Sequence, residues 1–394
     1  MPNKSLPLLL MFMFLAMLGM GLIIPVMPVF LKEFGAGGQA AGYLVSAFGL
    51  TQFIFSPIAG ELSDKYGRKP MIVVGLCLFA LSNLLAAIAG DLSLLFASRL
   101  VGGMGSAALV PAIMAYVADI TTDVQRGKGM SLLGASMSSG FIIGPGLGGL
   151  LAEFGLRAPF YASACIGFLA MLSSLFILKE SLSKELQLKR QQSKEKRISV
   201  FRQLVLSFKS RYFILLLLVF ALTFGLTHFE AIFPLFVVQS YGFTTREIAV
   251  LITVCSLIGT FNQIVMTGWL TRKLGEKAII NYTLLLSAVS LVLMLFSGNF
   301  IYVMFITMLF FTFNNIMRPT INTLLSKDAG EEQGFVAGMN NAYMSLGTIF
   351  GPALAGILFD IHINLPYLFG AFVLLISFGV SMKWIVTKRK TAVA

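Results

Sequence analysis

Charge is what this sequence has least of. Only 12% of its 394 residues are Asp, Glu, Lys or Arg, about half the share of an average soluble domain. Its three cysteines, Cys77, Cys165 and Cys255, stand singly in apolar segments with no CxxC spacing, so neither a disulfide framework nor a zinc site is expected. They read as buried structural thiols. Two histidines and no Ser/His/acid grouping leave an intramembrane hydrolase without its chemistry. No GxxxxGK[ST] stretch is present to bring in ATP. The dinucleotide-like Gly144-x-Gly146-x-x-Gly149 lies in an apolar run with Pro145 inside it and no strand before it, which removes that reading too.

Apolar side chains fill the space that charge leaves. Hydrophobic residues make up 57% of the chain, with 36 Phe, 20 Met and 38 Gly. No globular surface could cover that much apolar area, so the chain is expected to be an integral membrane protein. Twelve apolar stretches fall near 7–31, 41–62, 70–89, 94–118, 129–152, 158–178, 212–238, 247–270, 278–297, 300–325, 334–359 and 366–386. They are apolar all round and about 20 residues long, which fits helices and not the alternating strands of a barrel. The expected fold class is an all-α membrane protein with twelve transmembrane helices. The first stretch has no small-residue cleavage site and reads as a retained span, not a signal peptide.

The net charge of +12 comes from basic residues placed in loops. Of 29 Lys and Arg, 24 fall in the tails and loops on the N-terminal side of the membrane and three in the opposite loops. This asymmetry puts both termini in the cytoplasm and assigns the positive balance to topology, not to nucleic acid. The terminal Lys388-Arg389-Lys390 and the basic residues between spans six and seven read as anchors on the inner leaflet.

Residues 179–211, the long polar segment, divide the spans six and six. The expected organisation is a first six-helix bundle over 1–178, a cytoplasmic linker over 179–211 and a second bundle over 212–394. The halves repeat one another. Gly140, Gly144, Pro145 and Gly149 recur 207 residues later as Gly347, Gly351, Pro352 and Gly356, and Gly60, Gly67 and Lys69 recur 208 residues later as Gly268, Gly275 and Lys277. Pro28, Phe30 and Gly35 are echoed by Pro234, Phe236 and Gly242. Two pseudo-symmetric bundles suit alternating access, in which the halves rock about a site near the bilayer midplane.

A carboxyl inside a span is costly and is read as functional. Of the 17 acids, Glu230 alone lies within a span. It can take up a proton facing one side and yield it facing the other. The alternative is a structural pair with a base. His228, two residues earlier and so about 200° around the helix, reads as a packed neutral side chain, with a proton relay as the alternative. Span ten carries Asn314, Asn315, Arg318 and Asn322, which at helical spacing form a polar stripe.

Several stretches carry a resemblance. Gly60-Glu61-Leu62-Ser63-Asp64-Lys65-Tyr66-Gly67-Arg68-Lys69 resembles the signature loop of the major facilitator superfamily. Leu95-x-x-x-Arg99-x-x-Gly102-Gly103-x-Gly105 resembles its fourth-helix signature, with Gly102 where Gln is usual. The stretch Gly140 to Gly149 resembles the fifth-helix signature of its proton-coupled exporters. Gly21-Leu22-Ile23-Ile24-Pro25-Val26-x-Pro28, Phe224-Gly225-Leu226-x-x-Phe229-Glu230, Arg318-Pro319 and Gln333-Gly334-Phe335 with Gly338-x-Asn340 resemble NorA- and Bmr-type multidrug efflux proteins. The likeness covers nearly the whole chain except the linker and the C-terminal tail.

The resemblance implies a proton-coupled antiporter of amphipathic, often cationic or zwitterionic drugs in the plasma membrane of a bacterium. It would be a monomer, not an enzyme, without cofactor or metal, with drugs, protons and the lipid bilayer as its partners. Glu230 and Arg99 would serve proton coupling. Phe48, Gln52, Phe141, Glu230, Asn315, Arg318 and Asn340 would line the drug cavity, where aromatic and Met side chains hold flat cations without reading much of their shape. Asp64, Arg68 and Asp119 would form a cytoplasmic latch. Gly140, Gly144, Pro145, Gly148 and Gly149 would let the fifth helix bend, although close packing alone also explains them. Asn315 stands where the NorA type has an acid three residues before the Arg, so one carboxyl remains in the spans and monocations or zwitterions fit better than dications. A tetracycline-type antiporter is the near alternative. A metabolite uptake symporter or a membrane sensor is more distant.

Overall fold

The computed structural model describes residues 5–185, 187, 188, 200–208, 210–329 and 332–393. Most of the basic part of the linker, 189–199, lies outside the described residues. The first half holds α1 (Ser5–Ile23), α2 (Met27–Glu33), α3 (Gly38–Tyr66), α4 (Arg68–Ala87), α5 (Leu92–Ile120), α6 (Asp123–Leu151) and α7 (Ala158–Ile177). A short α8 (Val200–Ser207) follows. The second half holds α9 (Phe213–Tyr241), α10 (Thr245–Leu274), α11 (Glu276–Leu293), α12 (Phe300–Ala329), α13 (Gln333–Ile361) and α14 (Leu365–Val393). Among the described residues there is no strand, and twelve helices are long and apolar enough to cross a membrane. The chain is a multi-pass membrane protein.

The apolar run 7–31, read as one span, is two helices. Pro25 has no N–H to give and its ring collides with the carbonyl four residues back, so the chain turns through Ile24–Val26 and restarts with Pro28 in the first turn of α2. Pro57, Pro111, Pro145, Pro234, Pro319 and Pro352 remain inside helices, where neighbouring helices tolerate such breaks. The expectation of buried thiols holds for Cys255 but not for Cys77 and Cys165, which are exposed on membrane-spanning helices. A free thiol behaves as a small hydrophobe, so an exposed place on an apolar helix costs it little.

Two compact units divide the chain. The first comprises the described parts of Met1–Gly35, Ala47–Lys196 and Thr244–Thr253, the second those of Ala36–Ser46, Arg197–Phe243 and Val254–Ala394. In the first, α1 packs on α6, α4 on α5 and α4 on α7. In the second, α9 packs on α13, α11 on α12 and α11 on α14. The repeated glycines explain why the pattern recurs. A Cβ at Gly140 would come within 2.4 Å of Phe14 O, and at Gly148 within 2.1 Å of Leu22 O, so α6 lies backbone to backbone on α1. A Cβ at Gly347 would meet Phe224 N at 2.8 Å and at Gly351 Phe224 O at 2.7 Å, and α13 lies on α9 in the same way. Small residues at this spacing are the means by which helices associate in lipid, where no hydrophobic force drives them together.

The loop glycines repeat too. Gly67 and Gly275 both have positive φ, 108° and 76°, and each ends one helix immediately before the next begins. A side chain would be strained there.

Candidate functional site

In the second unit the intramembrane acid stands unlocked. Glu230 is half-buried near the middle of α9 and makes no hydrogen bond or ion pair among the described residues. Its charge is felt by Arg318 of α12, which lies within electrostatic reach and outside ion-pair distance. Arg318 is exposed although it sits in a span. Its Nη2 lies 3.9 Å from Met344 Sδ on α13, and Asn340 Nδ2 lies 3.8 Å from the same sulfur. Arg318 and Asn340 thus meet across two helices at a soft, polarisable atom. Asn340 Oδ1 is buried with no hydrogen-bond partner.

The stripe on α12 is narrower than its spacing suggested. Asn314 is 2% exposed and turns the other way, donating to Phe310 O at 2.8 Å and reaching Ser287 Oγ at 3.4 Å. Asn315, Arg318 and Asn322 keep the open face. Gly259 of α10 makes room for Asn315: a Cβ there would be 2.7 Å from Asn315 Nδ2. Asn262, one turn on, donates to Thr312 Oγ1 at 3.0 Å and continues the polar line onto α10. The Phe229 ring next to Glu230 in sequence lies 4.5 Å from Phe310, an aromatic contact between α9 and α12, and 4.7 Å from Phe233 on its own helix.

In the first unit, α3 and α5 meet through the fourth-helix signature. A Cβ at Gly103 would lie 2.0 Å from Thr51 Oγ1 and 2.3 Å from Phe48 O. The absent side chains let Gln52 reach across to donate to Ser106 Oγ at 3.0 Å. The half-buried Phe48 edges to within 3.4 Å of the Cβ that Gly102 lacks. Arg99, at the start of that signature, has a buried Nη2 without a partner and no paired carboxylate among the described residues. Phe141 is half-buried, one residue past the close contact of Gly140 with α1. Gly144 repeats that contact, with a Cβ placed 2.7 Å from Gly21 Cα, and Gly149 faces Ala249 of the 244–253 segment at 2.5 Å. Among these residues close packing is visible, and α6 runs unbroken through Pro145.

The signature loop forms a closed polar cluster. Arg68 donates to Asp64 Oδ1 at 2.7 Å, to Ser63 Oγ at 3.1 Å and to Asp119 Oδ2 at 3.1 Å. Asp119 also accepts from Ser181 Oγ at 2.9 Å. Glu180, not anticipated from the sequence, accepts the backbone N–H groups of Arg68 and Lys69 at 2.8 and 3.0 Å and so caps α4. A Cβ at Gly67 would fall 2.3 Å from Glu180 Oε2. A glycine before a helix with no capping side chain of its own was the signal for such a partner. In the second unit Glu276 of α11 pairs with Lys327 of α12. Both lie 208 residues after Arg68 and Asp119, with the charges reversed.

Two further residues escaped sequence reasoning. Met344 is one of 20 methionines and carries no mark of its place. Asp360, at the end of α13, accepts from Gly38 N at 2.7 Å and Gln39 N at 2.9 Å, at the N-terminus of α3 where a helix attracts an anion.

Residues 9–352 match the Major Facilitator Superfamily. The chain belongs to that superfamily. Multidrug resistance protein 2 of Bacillus subtilis (strain 168) is 44% identical over 385 residues, covering 98% of this chain and 96% of that protein. Quinolone resistance protein NorA of Staphylococcus aureus (strain COL) is 36% identical over 369 residues, covering 92% of each. The crystal structure of a bacterial homolog of the human lysosomal transporter Spinster, inward-facing and occupied, superposes with a TM-score of 0.80 at 13% identity over 97% of both chains. At that identity the likeness is one of fold. The superfamily is one of transporters of small molecules, and twelve helices in a major facilitator fold describe this member.

Proposed function

We propose that the protein exports amphipathic drugs from bacteria in exchange for protons, by alternating access in the plasma membrane with both termini in the cytoplasm. The observation that carries this reading is Glu230, the acid within a span, which among the described residues has no hydrogen bond or ion pair and lies within electrostatic reach of the exposed Arg318. Two relatives that cover nearly the whole chain are named for multidrug and quinolone resistance, which supports the same reading.

A carboxylate locked in a salt bridge holds a proton less readily, because the opposite charge lowers its pKa. An unlocked one stabilised from a distance by Arg318 can hold a proton, or release it when a cationic drug arrives. Asn315, Asn340 and Gln52 would orient polar parts of the drug, and Phe48 and Phe141 would stack on its rings. Arg99 is proposed to assist proton transfer, and the Asp64, Arg68 and Asp119 cluster to act as a cytoplasmic latch. The bundles would be 1–178 and 212–394, joined by the cytoplasmic linker 179–211, and the glycines and Pro145 of α6 would supply a bend. The protein would act as a monomer.

The test is ethidium efflux with simultaneous pH recording in proteoliposomes carrying an imposed pH gradient. Native protein should couple the two fluxes, and Glu230→Gln should abolish the coupling. Coupling that survives in Glu230→Gln would move the role to Arg99 or a loop acid. Absence of ethidium movement in the native protein would replace the multidrug reading with a narrower one, with tetracycline the first substrate to try.

A further inference from the structure

Arg318 stands part-way along α12 as a full positive charge, because a guanidinium keeps its proton in a protein. It is exposed, and a charged side chain within a span faces a water-filled cavity in preference to lipid. Among the described residues its N–H groups meet one protein acceptor, Met344 Sδ, 3.9 Å from Nη2. The amide of Asn340 donates to the same sulfur at 3.8 Å. A thioether is a weak acceptor. Two strong donors, one of them charged, thus converge on an atom that does little to satisfy them. A carboxylate is the group that such a pair recognises, since it accepts from a guanidinium and an amide through shorter, charge-assisted bonds.

We propose that Arg318 and Asn340 form a subsite for the carboxylate of an aromatic zwitterion, and that Met344 Sδ holds the place of a carboxylate oxygen while the subsite is empty. The proposal rests on the reading of this site as a drug site in which Glu230 faces the cationic end of the drug. It adds the substrate class, and it makes Met344 a specificity-determining residue.

The placing of charge supports a zwitterion over a simple cation. Glu230 on α9 and Arg318 on α12 feel one another but stand outside ion-pair distance. Opposite charges held apart on two helices complement a molecule whose own opposite charges are held apart. Asn315, three residues before Arg318 and half-buried, adds no charge. An acid there would be a helical neighbour of the guanidinium and would answer its charge from within the protein. A simple cation offers Arg318 nothing and has to be held beside a like charge. A zwitterion compensates Glu230 and Arg318 together.

Met344 suits the part of a place-holder. It lies four residues after Asn340 on α13, so the thioether and the amide share a face. Its unbranched side chain adopts other rotamers at little cost. Both donors then pass from sulfur to oxygen without standing bare, the costly state for a shielded donor. A zwitterion carries no net charge, so its exchange for one proton moves one charge across the membrane and draws on the potential as well as the pH gradient.

Tetramethylrhodamine is an aromatic zwitterion, and its methyl ester is a monocation of nearly the same shape. Binding of each is read by fluorescence anisotropy on the full chain in lipid nanodiscs at neutral pH, without a gradient and with empty nanodiscs subtracted. Native protein should bind the zwitterion about tenfold tighter than the ester. Arg318→Gln, which removes the charge, and Asn315→Asp, which answers it, should each abolish that preference, with binding of the ester retained as the sign of an intact site. Met344→Leu keeps the volume and frees the donors, and should raise affinity for the zwitterion severalfold while the ester is unchanged. Equal binding of the two probes by native protein, or a preference that survives Arg318→Gln, would overturn the carboxylate subsite and leave the drug reading standing. Binding of neither probe would overturn both. A change in Met344→Leu shared by the two probes, or absent from both, would overturn the place-holding role of Met344.

Discussion

At the scale of single residues, two kinds of atom stand out: missing Cβ atoms and unpaired oxygens. Gly148→Ala would place a methyl group 2.1 Å from the backbone oxygen of Leu22, which cannot swing aside. Overpacking of this kind costs about 1–3 kcal/mol, and thermal unfolding in detergent should show a lowered midpoint. Gly134→Ala on the same helix meets nothing within 4 Å and should leave the midpoint unchanged or raise it, because Ala favours helix by about 1 kcal/mol. Asn340 offers the opposite case. Its Oδ1 is buried without a partner, an arrangement that costs about 1–3 kcal/mol. Asn340→Leu should therefore keep or raise the unfolding midpoint while ethidium export falls. A fall in both would make Asn340 a packing residue.

At the scale of elements, the repeated halves carry one device with opposite signs. Arg68 and Asp119 tie α4 to α5, and their side chains are 6% and 24% exposed. Glu276 and Lys327 tie α11 to α12, with the lysine 60% exposed. Hydrogen bonds to charged groups shielded from water are worth about 1.5–3 kcal/mol, and exposed pairs about 0–1 kcal/mol. Asp119→Asn should destabilise the protein measurably in chemical denaturation, and Lys327→Gln should barely do so. Exchanging the signs in the second half, Glu276→Lys with Lys327→Glu, should recover whatever either single change loses. The spacing of Gly67 and Gly275 was legible beforehand, because a positive φ needs glycine whatever surrounds it. The reversed ion pair was not, because it becomes visible only when α11 and α12 are side by side.

At the scale of the whole molecule, the decisive property is which loops face which solution. Basic loops resist translocation, and 24 of the 29 Lys and Arg lie on the side assigned to the cytoplasm. In a background without the native cysteines, Gly90→Cys should react with a membrane-impermeant maleimide on intact cells. Gly127→Cys should react only after permeabilisation. Both glycines have open space around them, so neither change should disturb folding. The reverse pattern would invert the assigned orientation.

Sequence by itself determined that this chain lives in a membrane, crosses it with twelve helices, repeats itself after about half its length and carries Glu230 as the acid within a span. These follow from hydropathy, from glycine and proline spacing and from the cost of charge in hydrocarbon, all of which act along the chain. Tertiary structure alone decided that Asn314 leaves the polar face of α12 for Ser287, that Arg318 and Asn340 share Met344, that Glu180 caps α4, and that both nitrogens of His228 meet carbonyl oxygens. Helical period places a residue on a face to within a turn. What that face meets depends on helices dozens to more than a hundred residues away, and backbone acceptors such as Gly351 O and Pro366 O leave no trace in residue type.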